Sequence, residues 1–152
     1  MTITVLAGGT GSIKLVRGLA AIEKEDIVVI CNVGDNIWIH GLYVCPDIDT
    51  IIYGLANMLD QKRGWGIKGD SFQCLAQMKK IGAPTWFGLG DKDLAIHLLR
   101  TSMMKNGRTL SEVTNFFRNC YSISAQLIPA TDTEVTTFIL TSSKGDMHLQ
   151  EF

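Results

Sequence analysis

Thr2-Ile3-Thr4-Val5-Leu6-Ala7-Gly8-Gly9-Thr10-Gly11-Ser12-Ile13-Lys14 is the stretch that decides the fold. Its first six residues are short, apolar and partly β-branched, and they run directly into glycine. That pattern predicts a strand buried on both faces, as in a parallel sheet. From Lys14 to Glu23, Leu15, Val16, Leu19, Ala20 and Ile22 recur at approximately helical spacing. Ile27-Val28-Val29-Ile30-Cys31 is a second apolar strand. Strand, glycine turn, helix and strand make a βαβ opening, so the expected class is α/β with a parallel, Rossmann-like sheet.

Working outward, four helices are predicted. Ile48, Ile51, Ile52, Leu55, Met58 and Leu59 stripe the first. The second starts near Asp70, carries Phe72, Leu75 and Met78, and stops before Gly82. The third begins at Asp91 or Asp93 and ends by Gly107. Thr109-Leu110-Ser111-Glu112 opens the fourth with a capping box, in which side chains satisfy the amides that a first turn leaves unpaired. Residues 124–128, 134–141 and 148–152 read as strands, and Trp38 to Tyr43 as a loop. The helices form an insertion in one domain over 1–152. Because the last strand ends the chain without a neighbour, the domain is expected to be truncated and its sheet incomplete.

Composition narrows the class. With 46% apolar and 19% charged residues, the 152-residue chain can bury a core. A net charge of -1 gives no general attraction to nucleic acid. No apolar run reaches membrane-spanning length, and the start lacks a signal-peptide pattern, so a cytoplasmic location is expected. Cys31, Cys45, Cys74 and Cys120 form no Cys-x-x-Cys pair, which argues against structural zinc; free thiols acting as small apolar side chains are expected.

Three loops carry candidate chemistry. Gly8, Gly9, Thr10 and Gly11 at a helix start suit a phosphate, with Lys14 adding charge. The run lacks the Gly-Lys-Ser/Thr ending of a Walker loop and the glycine spacing of a dinucleotide fingerprint. Asp35, in Asn32-Val33-Gly34-Asp35-Asn36, follows the second strand at the sheet end where ligands gather; the competing reading is an Asx turn. In Pro46-Asp47-Ile48-Asp49-Thr50, Asp47 fits a helix N-cap and Asp49 is favoured by the helix dipole. Both also qualify as magnesium ligands beside Asp35. His40, in an aromatic and glycine-containing segment, is a candidate proton carrier. Trp65 and Trp86 lie in two further glycine-rich loops, whereas His97 reads as an ordinary helix residue and His148 carries no signal of its own.

Taken in order, Leu6-Ala7-Gly8-Gly9-Thr10-Gly11, Asn32-Val33-Gly34-Asp35, Trp38-Ile39-His40-Gly41-Leu42, Cys45-Pro46-Asp47-Ile48-Asp49-Thr50, Arg63-Gly64-Trp65-Gly66-Ile67, Gly69-Asp70-Ser71-Phe72, Trp86-Phe87-Gly88-Leu89-Gly90-Asp91-Lys92-Asp93-Leu94-Ala95 and His148-Leu149-Gln150-Glu151-Phe152 resemble the 2-phospho-L-lactate transferase family of coenzyme F420 biosynthesis. The resemblance covers essentially the whole chain, and family members continue beyond Phe152. It implies a Rossmann-like transferase using magnesium. The donor would be a guanosine diphosphate ester of phospholactate or phosphoenolpyruvate. The acceptor would be a ribityl hydroxyl of 7,8-didemethyl-8-hydroxy-5-deazariboflavin, and GMP would leave. By motif, Gly8 to Gly11 would face phosphates. Asp35 and Asp49 would bind magnesium, with Asp47 a weaker candidate, and His40, Trp86 and Asp91 would lie near the deazaflavin. A homodimer stays open as a further partnership. Two departures stand out: Asn36 replaces a frequent second aspartate, and Ser12-Ile13 replaces a smaller pair. The competing functional readings are an inactive fragment, a guanosine-nucleotide-binding module without transferase activity, and a nicotinamide dehydrogenase. The glycine spacing and Asn32, where an acid would be needed, weaken the last.

Overall fold

Ile27, Val29 and Cys31 point to one side of their strand and are buried, and their neighbours in the sheet repeat the pattern. The computed structural model describes residues 1–22 and 26–152. Glu23, the expected end of the first helix, lies outside the described residues. Strands β1 (Thr2–Ala7), β2 (Asp26–Cys31) and β5 (Gln126–Pro129) form a parallel sheet in the order β1-β2-β5. Val5 pairs with Val29, and Val29 with Leu127. Between β1 and β2 runs α1 (Thr10–Ala20). Between β2 and β5 lie the hairpin β3 (Ile37–Ile39) and β4 (Leu42–Val44), then α2 (Pro46–Leu55), α3 (Gln73–Lys80), α4 (Asp91–Lys105) and α5 (Leu110–Cys120). The α/β class and the helical insertion are therefore as expected. A second hairpin, β6 (Phe138–Thr141) and β7 (Gly145–His148), ends in a 3-10 turn at Leu149–Glu151.

The core gathers Val16 of α1, Ile48, Ile51 and Ile52 of α2, Val113 and Phe117 of α5, and the inward residues of the sheet. These helices bury one sheet face only. Contrary to expectation, β1 is not buried on both sides: Thr2 and Thr4 are exposed, and Leu6 is 79% exposed. Leu15 of α1 and Ile22, just beyond its end, are likewise outside the core, because the buried stripe is carried by Ile13 and Val16.

Other departures have local causes. The helix through Ile48 ends at Leu55 rather than Leu59, since Asn57 adopts a left-handed φ of 57° and the next two amides fold back onto the Tyr53 carbonyl. Trp38 to Tyr43 is a hairpin rather than a loop. His40 and Gly41, with φ of 50° and 75°, make the left-handed turn that matches strand twist. The final segment is a 3-10 turn rather than a strand, because His148 caps it and its pairing partner is spent on β7. The capping box is present as read: Thr109 Oγ1 accepts from the Glu112 amide, and Glu112 accepts from the Thr109 amide. Among the described residues no helix is long and apolar enough to cross a membrane.

Candidate functional site

The carboxyl ends of β1 and β2 place their two loops side by side, and the Asn32 amide N–H donates to the Ala7 carbonyl at 2.8 Å. The Gly9 carbonyl accepts from the amides of Ser12 and Ile13 as α1 begins, and the Gly8 amide donates to Ser12 Oγ at 3.0 Å. No side chain caps this helix, so among the described residues the amides of Thr10 and Gly11 are left without a partner in their own turn. A Cβ on Gly9 would overlap the Asp47 carboxylate, and one on Gly8 would sit 3.3 Å from it. Glycine is thus needed here to let an acid approach the backbone. Asp47 does not cap α2 as its position suggested; Cys45 is the cap residue and supplies no side-chain bond.

The Asn32 side-chain amide joins two acids, donating to Asp47 Oδ2 at 2.9 Å and Asp35 Oδ1 at 3.4 Å. Gln150, arriving from the C-terminal turn, donates to Asp35 Oδ2 at 3.2 Å. His148 anchors that turn. Its Nδ1 accepts from the Gln150 amide, which leaves Nε2 to donate to the Asn36 carbonyl at 3.1 Å. Burial, followed by the neighbouring Asp47 charge, pushes the Asp35 carboxyl up to about 7. Burial also raises Asp47, although its Asn32 hydrogen bond opposes the shift. Asn36 is buried; its amide donates to the Tyr43 hydroxyl at 3.1 Å, while among the described residues its Oδ1 has no partner.

Asp49 behaves differently. Arg100, fully buried, grips it with two nitrogens: Nη1 donates to Oδ2 at 3.0 Å and Nη2 to Oδ1. Burial works against the guanidinium charge, but the adjacent Asp49 holds its pKa above the ordinary arginine value. Beside them, Tyr53 donates to Asp93 Oδ1 at 2.5 Å, and His97 Nε2 lies 3.1 Å from the same oxygen. Burial opposes Asp93 ionisation, yet the His97 and Tyr53 interactions prevail and keep its pKa below the usual carboxylate range. Tyr53, Asp93, His97 and Arg100 were not picked out as site residues from the sequence. Their signal is polar spacing: Asp93, His97 and Arg100 are i, i+4 and i+7 on α4, while Asp49 and Tyr53 are i and i+4 on α2.

A cleft of about 310 Å³ is lined by Thr10, Asp35, Asp47, Asp49, Asp93 and His97 together with the aromatics Tyr53, Trp65 and Phe87. Trp65 packs on Gly88, where a Cβ would lie 2.9 Å from its ring. Trp86 is half-exposed and meets Phe87 edge-on at 5.5 Å, so it stands behind a lining residue and is not itself part of the lining. Asp91 also lies outside the lining. Its carboxylate accepts from Ser71 Oγ and from the amides of Gln73 and Cys74, which start α3. In return Asp70 accepts from the amides of Lys92 and Asp93 at the start of α4. His40, on the hairpin tip, and Lys14, on the outer side of α1, are exposed and do not line the cleft. The cysteines are free thiols, and burial pushes those of Cys31 and Cys45 up to about 12. Among the described residues, no three acid, histidine or cysteine side chains converge as a ready metal cage.

Residues 3–152 match the family model described as 2-phospho-L-lactate transferase CofD. A 2-phospho-L-lactate transferase of Methanocorpusculum labreanum is 40% identical over 151 residues, covering 99% of this chain and 50% of that protein. A phosphoenolpyruvate transferase of Nocardia farcinica is 39% identical over 158 residues, covering 99% and 48%. The chain thus spans about half the length of these relatives. A solved UPF0052-family protein from Bacillus halodurans shares the fold, with a TM-score of 0.60 at 16% identity over 97% of this chain and 45% of that one. The chain belongs to the 2-phospho-L-lactate transferase family.

Proposed function

We propose that this cleft is a substrate site of a cytoplasmic transferase in coenzyme F420 biosynthesis. In this reading a phospholactyl or phosphoenolpyruvyl group moves from a guanosine diphosphate ester to a ribityl hydroxyl of 7,8-didemethyl-8-hydroxy-5-deazariboflavin. The observation that carries it is the close approach of the Asp47 carboxylate to Gly8 and Gly9, at the uncapped start of α1. Helix amides attract a phosphate, while an aspartate against the same backbone repels it. A divalent cation between them resolves the conflict, and Asp35, its carboxyl raised by burial and then by the charges of Asp47 and Asp49, lies close by. Magnesium takes one or two carboxylates together with substrate phosphates, and that requirement fits Asp35 and Asp47. Asp49, proposed on family grounds as a ligand, has both oxygens committed to Arg100, so its part is to take a share of the metal field through remaining lone pairs. When bound, the ion supplies charge neutralisation at the phosphoryl oxygens.

The protein's own work is positioning. The amides of the first α1 turn hold the nucleotide phosphates, and Thr10 borders them. Trp65 and Phe87 offer flat apolar surface for a planar ring. A new bond forms between phosphorus and the ribityl oxygen, the bond to the GMP oxygen breaks, and the hydroxyl proton leaves to solvent or a carboxylate. Such chemistry asks for orientation and charge stabilisation rather than a protein nucleophile.

The test is a fluorescence titration of the deazaflavin into the purified chain with GDP and magnesium, comparing wild type with Asp35→Ala. Saturable, magnesium-dependent binding that the substitution abolishes is expected. A folded wild-type protein that binds neither ligand would overturn the assignment for this chain. GDP binding without deazaflavin binding would make it a nucleotide-binding module instead.

A further inference from the structure

The inner wall of the cleft holds a polar group that no family motif in the sequence singles out. Arg100 Nη1 lies 3.1 Å from His97 Nδ1. Arginine has only donors, so Nδ1 must accept and the ring proton sits on Nε2. Among the described residues that Nε2 makes no hydrogen bond, although Asp93 Oδ1 is in close contact at 3.1 Å. His97 is 1% exposed and is among the residues that line the cleft, so this donor lies in the cleft wall without a well-aligned acceptor. Leaving a buried donor unpaired costs about 1–3 kcal/mol, which makes such a group uncommon without a use.

Asp93 supplies the complement. Its Oδ1 accepts from Tyr53, and its Oδ2 makes no hydrogen bond among the described residues while the side chain lines the cleft. An ionised carboxylate is an acceptor only. A donor and an acceptor side by side match one chemical group that does both, an alcohol. Phosphate and carboxylate ligands would be repelled by Asp93, and an ammonium would be left facing His97 with no lone pair to offer.

We propose that Asp93 and His97, backed by Tyr53 and Arg100, form a hydroxyl-recognition subsite, Asp93 accepting the ligand O–H and His97 Nε2 donating to the same oxygen. The inference rests on the cleft being the transferase's ligand site. The alcohol has two sources there, the ribose of the nucleotide and the ribityl chain of the acceptor.

The experiment compares each source with its hydroxyl-free partner: the deazaflavin against its N10-methyl analogue by fluorescence, and GDP against 2′,3′-dideoxy-GDP by calorimetry. Wild type, Asp93→Asn and His97→Phe are measured, all with magnesium. Each readout is a ratio within one protein, so loss of folded material in a variant cancels. Wild type is expected to favour the hydroxyl member of one pair by about ten-fold, the worth of one charge-assisted hydrogen bond. Both variants should bring that ratio close to one without weakening the hydroxyl-free partner. The pair affected identifies the source. A preference that survives both substitutions, or an absence of preference in a wild type that binds GDP and the deazaflavin, refutes the subsite and leaves the transferase reading standing. A wild type that binds neither pair refutes both.

Discussion

Arg100→Met removes the guanidinium that grips Asp49 and leaves that carboxylate almost fully buried without this counter-charge. Asp49 is 4% exposed and Arg100 1%. The guanidinium also donates to the Tyr43 carbonyl at 3.4 Å and lies 5.8 Å from the Phe117 ring centre. Breaking a buried pair from one side costs about 3–5 kcal/mol, while replacing both partners with neutral groups is often nearly neutral. Asp49→Asn should therefore cost about 3 kcal/mol, Arg100→Met about 3–5 kcal/mol, and the double variant much less than their sum. The expected coupling is about 3 kcal/mol, far above the few tenths typical of independent sites. Urea unfolding followed by circular dichroism reads this directly. With a slope of roughly 1–3 kcal/mol/M, each single substitution moves the midpoint by more than 1 M. Repeating the cycle in 0.5 M salt should change little, because screening does not reach a buried pair. Additive single effects, or a loss below about 1 kcal/mol for Arg100→Met, would refute the reasoning and return Asp49 to the role of a metal ligand without a structural partner.

Two further outcomes follow from the same geometry. Asp35 has a folded pKa of about 7 against an ordinary 3.8, so the folded state holds its proton longer as pH rises. Stability contributed by this group is complete below pH 3.8 and is lost as pH climbs to about 7; discounted for the solvent entering the cleft, the loss is about 2 kcal/mol. Asp35→Asn should flatten that decline in a series of urea midpoints from pH 4 to 8, and an unchanged slope would show that the group is not perturbed. Asp70→Ala removes the acceptor for two leading amides of α4 and should cost about 1–2 kcal/mol by the same assay, since Gly90 brings the backbone too close for another side chain to substitute. A cost near zero would mean that water caps α4 equally well.

Much of the fold was legible because local patterns and tertiary demands agreed. The β-branched run before Gly8, the apolar periodicity of α2 and the Thr109 capping box each state their structure within a dozen residues. The positions of the two loops follow as well, since consecutive parallel strands put their carboxyl ends together. That Asp35, Asp47, Asp49 and the glycine loop are neighbours was legible for that reason: the three acids and Thr10 line one cleft, and Gly8 and Gly9 lie against Asp47.

What the sequence could not decide were partnerships between residues far apart in the chain. Asp49 reads as a free acid at a helix start until Arg100, 51 residues later, is seen to hold it. Asp91 reads as a binding residue, and only the fold shows that it also caps α3; His97 reads as an ordinary helix residue until Arg100 is seen to fix its proton on Nε2 in the cleft wall. Gln150 reaches Asp35 across 115 residues through a turn whose strand-like composition was misleading. Local sequence sets backbone preference and which face is apolar. Whether a polar side chain is a cap, a counter-ion or a ligand group depends on what the packed chain puts opposite it, because burial raises the cost of an unpaired charge and only the tertiary structure names the partner.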